Sequence, residues 1–352
     1  MVGLRHVPLA RSRMASGAGG TVPVRIDSRG YRGREYPWDA AAGFRVLGLG
    51  DSFAFGFGVE EADTYLARLE WALADRRVEV INAGLAGMGP GNEARLLAVD
   101  GPGLRPDLVL VGFFVGNDFM DVLAGSRPRL QEGRPALADD GFLERWYRPL
   151  RPGSIVPHPL ARVPASLGLP IPFKEFWRRH SHAYRFLTGR LGRLRTAWQA
   201  RRRGSPAADF TPFEQEAFCL RSYPPEFDEA WRLTQAALLE MKAWCGAHGA
   251  RLAVVVIPTD DQVYPDRWDA VRRRFNLRDA DFDLEKPQRL LSTFAADNGV
   301  PLIDLLPTLR AARDSGGPLY FKTDVHWTPR GHAVAAAEIL RQLGALGLLP
   351  AS

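Results

Sequence analysis

Two short stretches carry residue types suited to nucleophilic chemistry, and they lie near opposite ends of the chain. The first is Gly50-Asp51-Ser52, where the apolar run Val46-Leu47-Gly48-Leu49 ends and Gly and Phe begin to alternate. The second is Asp324-Val325-His326, just ahead of Thr328-Pro329. A serine hydroxyl becomes a useful nucleophile only when a general base takes its proton. Of the seven histidines, His6 falls in the N-terminal tail, His158, His180 and His182 in a Pro/Arg-rich insertion, and His248 at a helix end before Gly249. The remaining stretch holds His326 and His332, and Asp324 stands two residues before His326. An aspartate that near can accept a bond from one imidazole nitrogen and fix the tautomer, while the other nitrogen faces Ser52. The competing reading makes His326 a helix cap or core residue.

Other chemistries for Ser52 fare worse. A dinucleotide fingerprint starting at Gly48 needs glycine at 53, where Phe53 stands, and no Gly-Lys-Ser/Thr follows for a P-loop. A G-x-S-x-G elbow fails at Ala54. An ordinary tight bend remains open. Acyl chemistry at a serine also needs donors for an oxyanion. The glycines at 84, 87, 89 and 91 suit a backbone N–H that approaches a substrate closely, and Gly116-Asn117-Asp118 places an amide after another apolar run. Each is equally readable as a turn or a helix cap.

These residues follow segments that must position them. Continuous apolar runs at 45–50, 78–84, 106–117, 250–259 and 300–306 predict strands. Helical spacing of apolar residues at 64–76, 91–101, 227–249, 286–299 and 328–344 predicts the helices between them. Strands apolar throughout belong to a parallel sheet covered on both faces, so the fold class is α/β with a doubly wound parallel sheet. Ligands in such sheets collect at the carboxyl ends of the strands, which is where Ser52, Gly87 and Asn117 fall. The domain reading is a disordered tail at 1–21, an α/β domain at 22–120 and 227–352, and a large, partly helical insertion or lid at 121–226.

Taken together, the four blocks resemble those of the SGNH, or GDSL-type, hydrolases. Gly50-Asp51-Ser52-Phe53 looks like the first block, Asn82-Ala83-Gly84-Leu85-Ala86-Gly87 the second, Gly116-Asn117-Asp118 the third and Asp324-Val325-His326 the last. The resemblance implies a three-layer, flavodoxin-like fold and a serine esterase acting through an acyl-enzyme. It makes Ser52 nucleophile and oxyanion donor, His326 the base, Asp324 its partner, and Gly87 and Asn117 the further oxyanion donors. Asp51 is expected to cap the turn. The chain departs from the family pattern with Val115 where the third block has glycine, and with Asp-x-His in place of Asp-x-x-His, which leaves Thr323 at the usual aspartate position. The string Asp-Val-His-Trp-Thr-Pro is similar to the alginate-acetylation branch, which implies O-acetyl transfer to a sugar as the alternative to hydrolysis. A non-catalytic module with the same fold is a third reading. No metal or cofactor is implied.

Composition sets the outer bounds. A chain of 352 residues with 46% hydrophobic and 24% charged residues supports a sizeable core. Cys219 and Cys245 are the only cysteines, without ligand spacing, and are expected as buried free thiols. No apolar run reaches the length of a membrane span, so a cytoplasmic location is the default expectation. The net charge of +6 is locally concentrated, with ten basic residues and one acidic residue, Glu175, between Lys174 and Arg203. That basic, aromatic segment reads as a solvated lid, or as a surface for an anionic acceptor or membrane; no nucleic acid is expected.

Overall fold

The computed structural model describes residues 5–38, 43–124, 129–131, 134–136, 216–223, 225–275, 277–322 and 324–350. The chain divides into two compact units, Met1–Ala138 with Pro212–Ser352, and Asp139–Thr211. The division falls inside the insertion expected at 121–226. The second unit, with the basic segment 174–203, lies outside the described residues.

The first unit opens with β1 (Arg11–Ala15) and β2 (Thr21–Arg25), paired antiparallel. Next come β3 (Phe44–Gly50), α1 (Ser52–Phe55), α2 (Tyr65–Ala72), β4 (Val78–Asn82) and α3 (Pro90–Leu104). They are followed by β5 (Leu108–Phe114), α4 (Asp118–Ala124) and a short antiparallel pair, β6 (Arg129–Gln131) and β7 (Arg134–Ala136). After residue 212 the elements are α5 (Pro225–Ala247), β8 (Arg251–Ile257), α6 (Asp260–Val263) and α7 (Pro265–Phe275). The chain then forms α8 (Lys286–Asn298), β9 (Leu302–Asp304), α9 (Leu306–Ala312) and α10 (Pro329–Ala345).

Five of these strands build a parallel sheet in the order β4-β3-β5-β8-β9. Side chains alternate across it. Val46, Leu108, Leu110, Ala253 and Val255 join Leu66 and Leu69 of α2 and Ala335 and Ile339 of α10 in one core cluster. Residues of the opposite parity, such as Leu47, Val109, Val111 and Val254, are equally buried on the other face, where α3 and α4 pack with α5. The expectation of a doubly wound α/β sheet holds. Cys219 and Cys245 are both buried and free. Among the described residues no helix is long and apolar enough to cross a membrane.

The connection after β3 runs to β4 on one side, and the chain then crosses to β5 on the other. The order of winding therefore reverses between β3 and β5, and the crevice beyond their carboxyl ends is the natural site for a ligand. Ser52 follows β3 and Asn117 follows β5.

The tail expected at 1–21 is a correction. Ser16 to Gly20, which read as a disordered run, is the turn of the β1–β2 hairpin, with Gly19 and Gly20 at φ 95 and 75. One face of the hairpin is apolar: Ala10, Met14, Val24 and Ile26 pack on Phe55 of α1. The charged residues of RSRMA point outward, and their polarity hid the strand.

From the same N-terminal segment, Arg32 reaches into the sheet end. Its backbone N–H donates to the carbonyl of Asn82 at 3.1 Å. Its guanidinium, buried in the core, donates to the carbonyls of Gly56 at 2.6 Å and Val59 at 2.7 Å, and also to that of Phe55. Arg32 therefore closes the carboxyl end of α1, and burial lowers its pKa to about 10. Replacing Arg32 with Met removes three charge-assisted bonds to buried carbonyls. Those of Phe55 and Gly56 keep weaker donors in Asn82 Nδ2 at 3.5 Å and the Val59 N–H at 3.3 Å. A buried carbonyl left unpaired costs about 1–3 kcal/mol. Arg32→Met should lower the unfolding free energy by about 2–4 kcal/mol in urea titrations. The control Arg34→Met, which removes a solvent-accessible pair with Glu70, a long bond to the Glu35 carbonyl and a contact over the Tyr36 ring, should change it by about 1 kcal/mol or less. Equal effects would show that Arg32 is not a structural clamp.

Candidate active site

The turn out of β3 demands a glycine. Gly50 has φ +143, and a Cβ there would come within 2.8 Å of both the Ala54 Cβ and the Gly112 carbonyl oxygen. The chain bends into Asp51, whose Oδ1 accepts from the Phe53 N–H at 2.8 Å and caps α1 as expected. Phe53, Ala54 and Phe55 are buried, whereas Ser52 at the start of α1 remains partly exposed. The hydroxyl is thus carried on a fixed turn at the edge of the core.

The loop before α10 is held as firmly. Tyr320 and Trp327 form a β-bridge, the Phe321 N–H donates to the His326 carbonyl at 3.0 Å, and the Thr328 N–H donates to the Leu319 carbonyl at 2.9 Å. Thr328 then caps α10, its hydroxyl accepting from the Gly331 N–H at 3.2 Å. Trp327 is fully buried, edge-on to Phe53 at 5.0 Å and to Tyr65 at 6.1 Å between centroids. This aromatic contact joins the histidine loop to α1 and α2.

Within that loop, Asp324 Oδ1 accepts from the His326 backbone N–H at 2.9 Å and also pairs with Nδ1 of the ring. The opposite nitrogen, Nε2, lies 2.7 Å from the Ser52 hydroxyl. The imidazole sits between Phe53 and Phe57, with centroid distances of 5.1 and 4.8 Å. The structure thus brings together Ser52, His326 and Asp324, and the short Asp-x-His spacing works because the carboxylate folds back over its own loop. Thr323, at the alternative position, lies outside the described residues.

The carboxyl groups around the serine have different environments. Burial opposes ionisation of Asp324, but its bonds to His326 prevail and hold its pKa below the usual value. Burial pushes Asp51 up to about 6, against the opposing effects of the Phe53 N–H, His326, Asn117 and Ser52. Glu93 and Asp118 are fully buried, and burial together with their nearness to Asp51 raises both well above the ordinary range. Among the described residues, neither oxygen of Glu93 has a hydrogen-bond partner, nor does the Tyr65 hydroxyl. One ionised carboxylate therefore faces the imidazole while the buried acids retain protons more strongly.

Asn117 stands at the start of α4, and its Nδ2 donates to Asp121 Oδ2 at 2.8 Å. Asp118 closes the same turn by accepting from the Phe114 N–H at 2.8 Å. Asn117 also lies close enough to Asp51 to favour its ionised form, which brings the ends of β3 and β5 together. The loop after β4 is fixed to this region by the Leu85 N–H, which donates to the Gly50 carbonyl at 3.0 Å. Gly87 is exposed in that loop with φ +76, and an added Cβ would meet nothing within 4 Å. Conformation, not space, requires glycine there. Sequence reading missed Phe57, Arg32, Tyr65 and Glu93. Phe57 lay in the quoted Gly/Phe run; the other three carry no local signal that separates them from ordinary helix or loop residues.

The sheet order and the loops at its carboxyl ends define a doubly wound α/β protein, part of which is similar to SGNH hydrolase-like domains. Residues 222–351 match the family model described as SGNH hydrolase-like domain, acetyltransferase AlgX. Among curated proteins the chain is similar to the probable alginate O-acetylase AlgJ of Azotobacter vinelandii, 26% identical over 118 residues, and to that of Pseudomonas fluorescens, 28% identical over 97 residues. These matches cover 34% and 28% of this chain, and only 28% and 23% of those relatives' length. Solved structures with a likeness include LAE5, an alpha/beta hydrolase from the Lake Arreo metagenome, with 17% identity and TM-score 0.43 over 87% of this chain and 98% of that one. Another is a catalytic mutant of Axe2, an acetylxylan esterase from Geobacillus stearothermophilus, with 13% identity and TM-score 0.40 over 87% and 96%.

The raised pKa of Asp51 has a thermodynamic consequence. Folded Asp51 binds its proton more tightly than the unfolded chain does, so the native state holds more protons between about pH 4 and pH 6. Its contribution to stability falls as pH rises through that window. Asp51→Asn removes this dependence and keeps an oxygen to cap Phe53. The variant's unfolding free energy should therefore gain on wild type by up to about 3 kcal/mol from about pH 4 to about pH 6.5, and then level off. Urea unfolding across that range measures it; a difference that is flat or declines with pH would sink the account.

Proposed function

We propose that this chain is a serine-dependent enzyme acting on carboxylic esters with small acyl groups. The observation that carries the reading is the 2.7 Å contact between Ser52 and His326 Nε2, with Asp324 paired to Nδ1 behind it. The match of residues 222–351 to an SGNH hydrolase-like family supports the reading.

In this mechanism His326 Nε2 takes the Ser52 proton as Oγ forms a bond to the ester carbonyl carbon. The negative charge that develops on the carbonyl oxygen is met by the Ser52 and Gly87 N–H groups and the Asn117 amide. Loss of one such donor typically costs about 3 kcal/mol of transition-state stabilisation. Asp324 steadies the imidazolium and holds its tautomer. The C–O bond to the alcohol breaks as His326 gives its proton to the departing oxygen. An acyl group remains on Ser52. A second hydroxyl then attacks that acyl carbon, His326 takes the attacker's proton, and the return of the proton to Ser52 Oγ frees the enzyme.

The identity of the second hydroxyl separates two readings. With water the reaction is ester hydrolysis. With a sugar hydroxyl it is O-acyl transfer, and the names of the matched family and relatives, acetyltransferase and alginate O-acetylase, favour that second reading.

Release of p-nitrophenol from p-nitrophenyl acetate, with and without sugar acceptors, tests the mechanism. Ser52→Ala should lower turnover by at least about 10³ with an unchanged circular dichroism spectrum. Asp324→Asn should cost at least about 10² while leaving measurable activity. Wild-type turnover that survives Ser52→Ala would place the chemistry elsewhere. Acceleration by a sugar together with an acylated sugar product would establish transfer; neither effect would leave hydrolysis.

A further inference from the structure

The N-terminal hairpin does more than cover α1. Between it and the serine turn lies a cavity of about 330 Å³, lined chiefly by Ala10, Met14, Val24, Phe55, Phe57 and Ala86. Phe57 is a shared wall. Its N–H donates to the Ser52 carbonyl at 2.9 Å, and its ring lies 4.8 Å from that of His326. Ala86 adjoins Gly87 in the loop after β4. The hairpin turn also reaches the histidine loop, where Gly17 packs against the Phe321 ring. The cavity therefore takes its walls from two of the loops that carry the candidate machinery, and Phe57 sets it against the histidine of the third.

We infer that this cavity receives the aliphatic acyl chain of the ester, an inference that rests on the esterase reading above and widens it from small acyl groups to longer ones. Its size argues for a chain longer than acetyl: the space equals that of roughly eleven waters at ~30 Å³ each, and a two-carbon group would leave most of it empty. Its chemistry argues against a sugar, which would bring several hydroxyls to a wall offering few polar partners. His6 stacks on Phe55 at 4.9 Å between centroids and contributes one of them. Among the described residues its buried Nε2 has no hydrogen-bond partner, so a hydroxyl on the chain would find an acceptor there. Burial lowers the pKa of His6, with Arg32 acting in the same direction and the Gly84 carbonyl opposing, so the ring adds no charge to the wall at neutral pH. Acetyl esters stay within reach of Ser52, because the chemistry at the carbonyl does not require the chain.

The test is calorimetric titration of the full chain with butanoate and octanoate, in wild type and Ala10→Trp. Each buried methylene should strengthen binding roughly fourfold, so octanoate should bind at least tenfold more tightly than butanoate. Ala10→Trp, which fills the cavity, should weaken octanoate at least tenfold. Met14→Trp serves as the filling variant where Ala10→Trp does not fold, as judged by its thermal transition. Equal binding of the two acids, or equal octanoate binding by wild type and a folded filling variant, overturns the proposal. The binding readout does not use the chemical step. Chain-length-dependent binding without Ser52-dependent turnover would uphold the cavity and reject the esterase reading; turnover without such binding would do the reverse.

Discussion

A single imidazole joins the two ends of this domain. His326 contacts a hydroxyl that leaves the first strand of the sheet and a carboxylate from its own loop, with 274 residues separating it from Ser52. A hydrogen bond of this kind weakens steeply once its length or angle drifts. The remainder of the fold can be understood as what keeps that drift small. β3 lies inside the sheet with partners on both sides, so the position of Ser52 follows from strands that are hydrogen-bonded in register. The histidine loop has no such neighbours, and it is held instead by Trp327, which packs against Phe53 and Tyr65. Burial of so large an aromatic group, together with the Tyr320–Trp327 bridge, fixes the loop to the helices that flank the serine turn.

The acids beneath the serine show how the same side chain takes two roles. Asp324 is bonded to both the backbone N–H and the ring of His326, and its ionised form is favoured. Asp51, Glu93 and Asp118 are sealed from water, and each holds its proton more firmly than an exposed acid would. Were all four ionised, mutual repulsion and desolvation would work against the packed floor of the site. Separation of their proton affinities lets the ionised Asp324 face the imidazole while Glu93 and Asp118 hold their protons far more firmly. The burial of Asp51 has a structural return as well, since its carboxyl caps α1 and meets Asn117 from the neighbouring strand end.

Those parts of the molecule with strong local signals were legible in the sequence. Runs such as Leu108–Phe114 and Arg251–Ile257 are apolar at nearly every position, and only a strand covered on both faces explains them. The catalytic candidates lay at the ends of such runs, so the strand pattern led to Ser52 and Asn117, and the Asp-x-His pair completed the set. The β1–β2 hairpin was misread because its buried face offers only small or isolated apolar residues among arginines, and because a Gly-rich turn and a disordered run share a composition. Helix α7 escaped for a related reason: Pro265–Phe275 is strongly polar, and its apolar side meets only a small cluster around Trp268 and Phe282. Glu93 shows the deeper limit. A glutamate in a helix ordinarily faces water, and nothing within α3 reveals that this one lies fully buried beside Asp51 and Asp118.

The hairpin's misreading bears on the site itself. A serine turn of four helical residues ends on carbonyls that no further helical N–H can satisfy, and here the answer comes from Arg32, beyond the hairpin and before the first strand of the main sheet. Phe55, in the same turn, is covered by the hairpin's apolar face. The N-terminal segment thus supplies both the polar and the apolar closure of the element that carries Ser52. Without it, α1 would present the Phe55 ring and the carbonyls at its carboxyl end to water at the rim of the crevice. In this chain the segment that carries no chemically suggestive motif is the one that makes the most suggestive motif rigid.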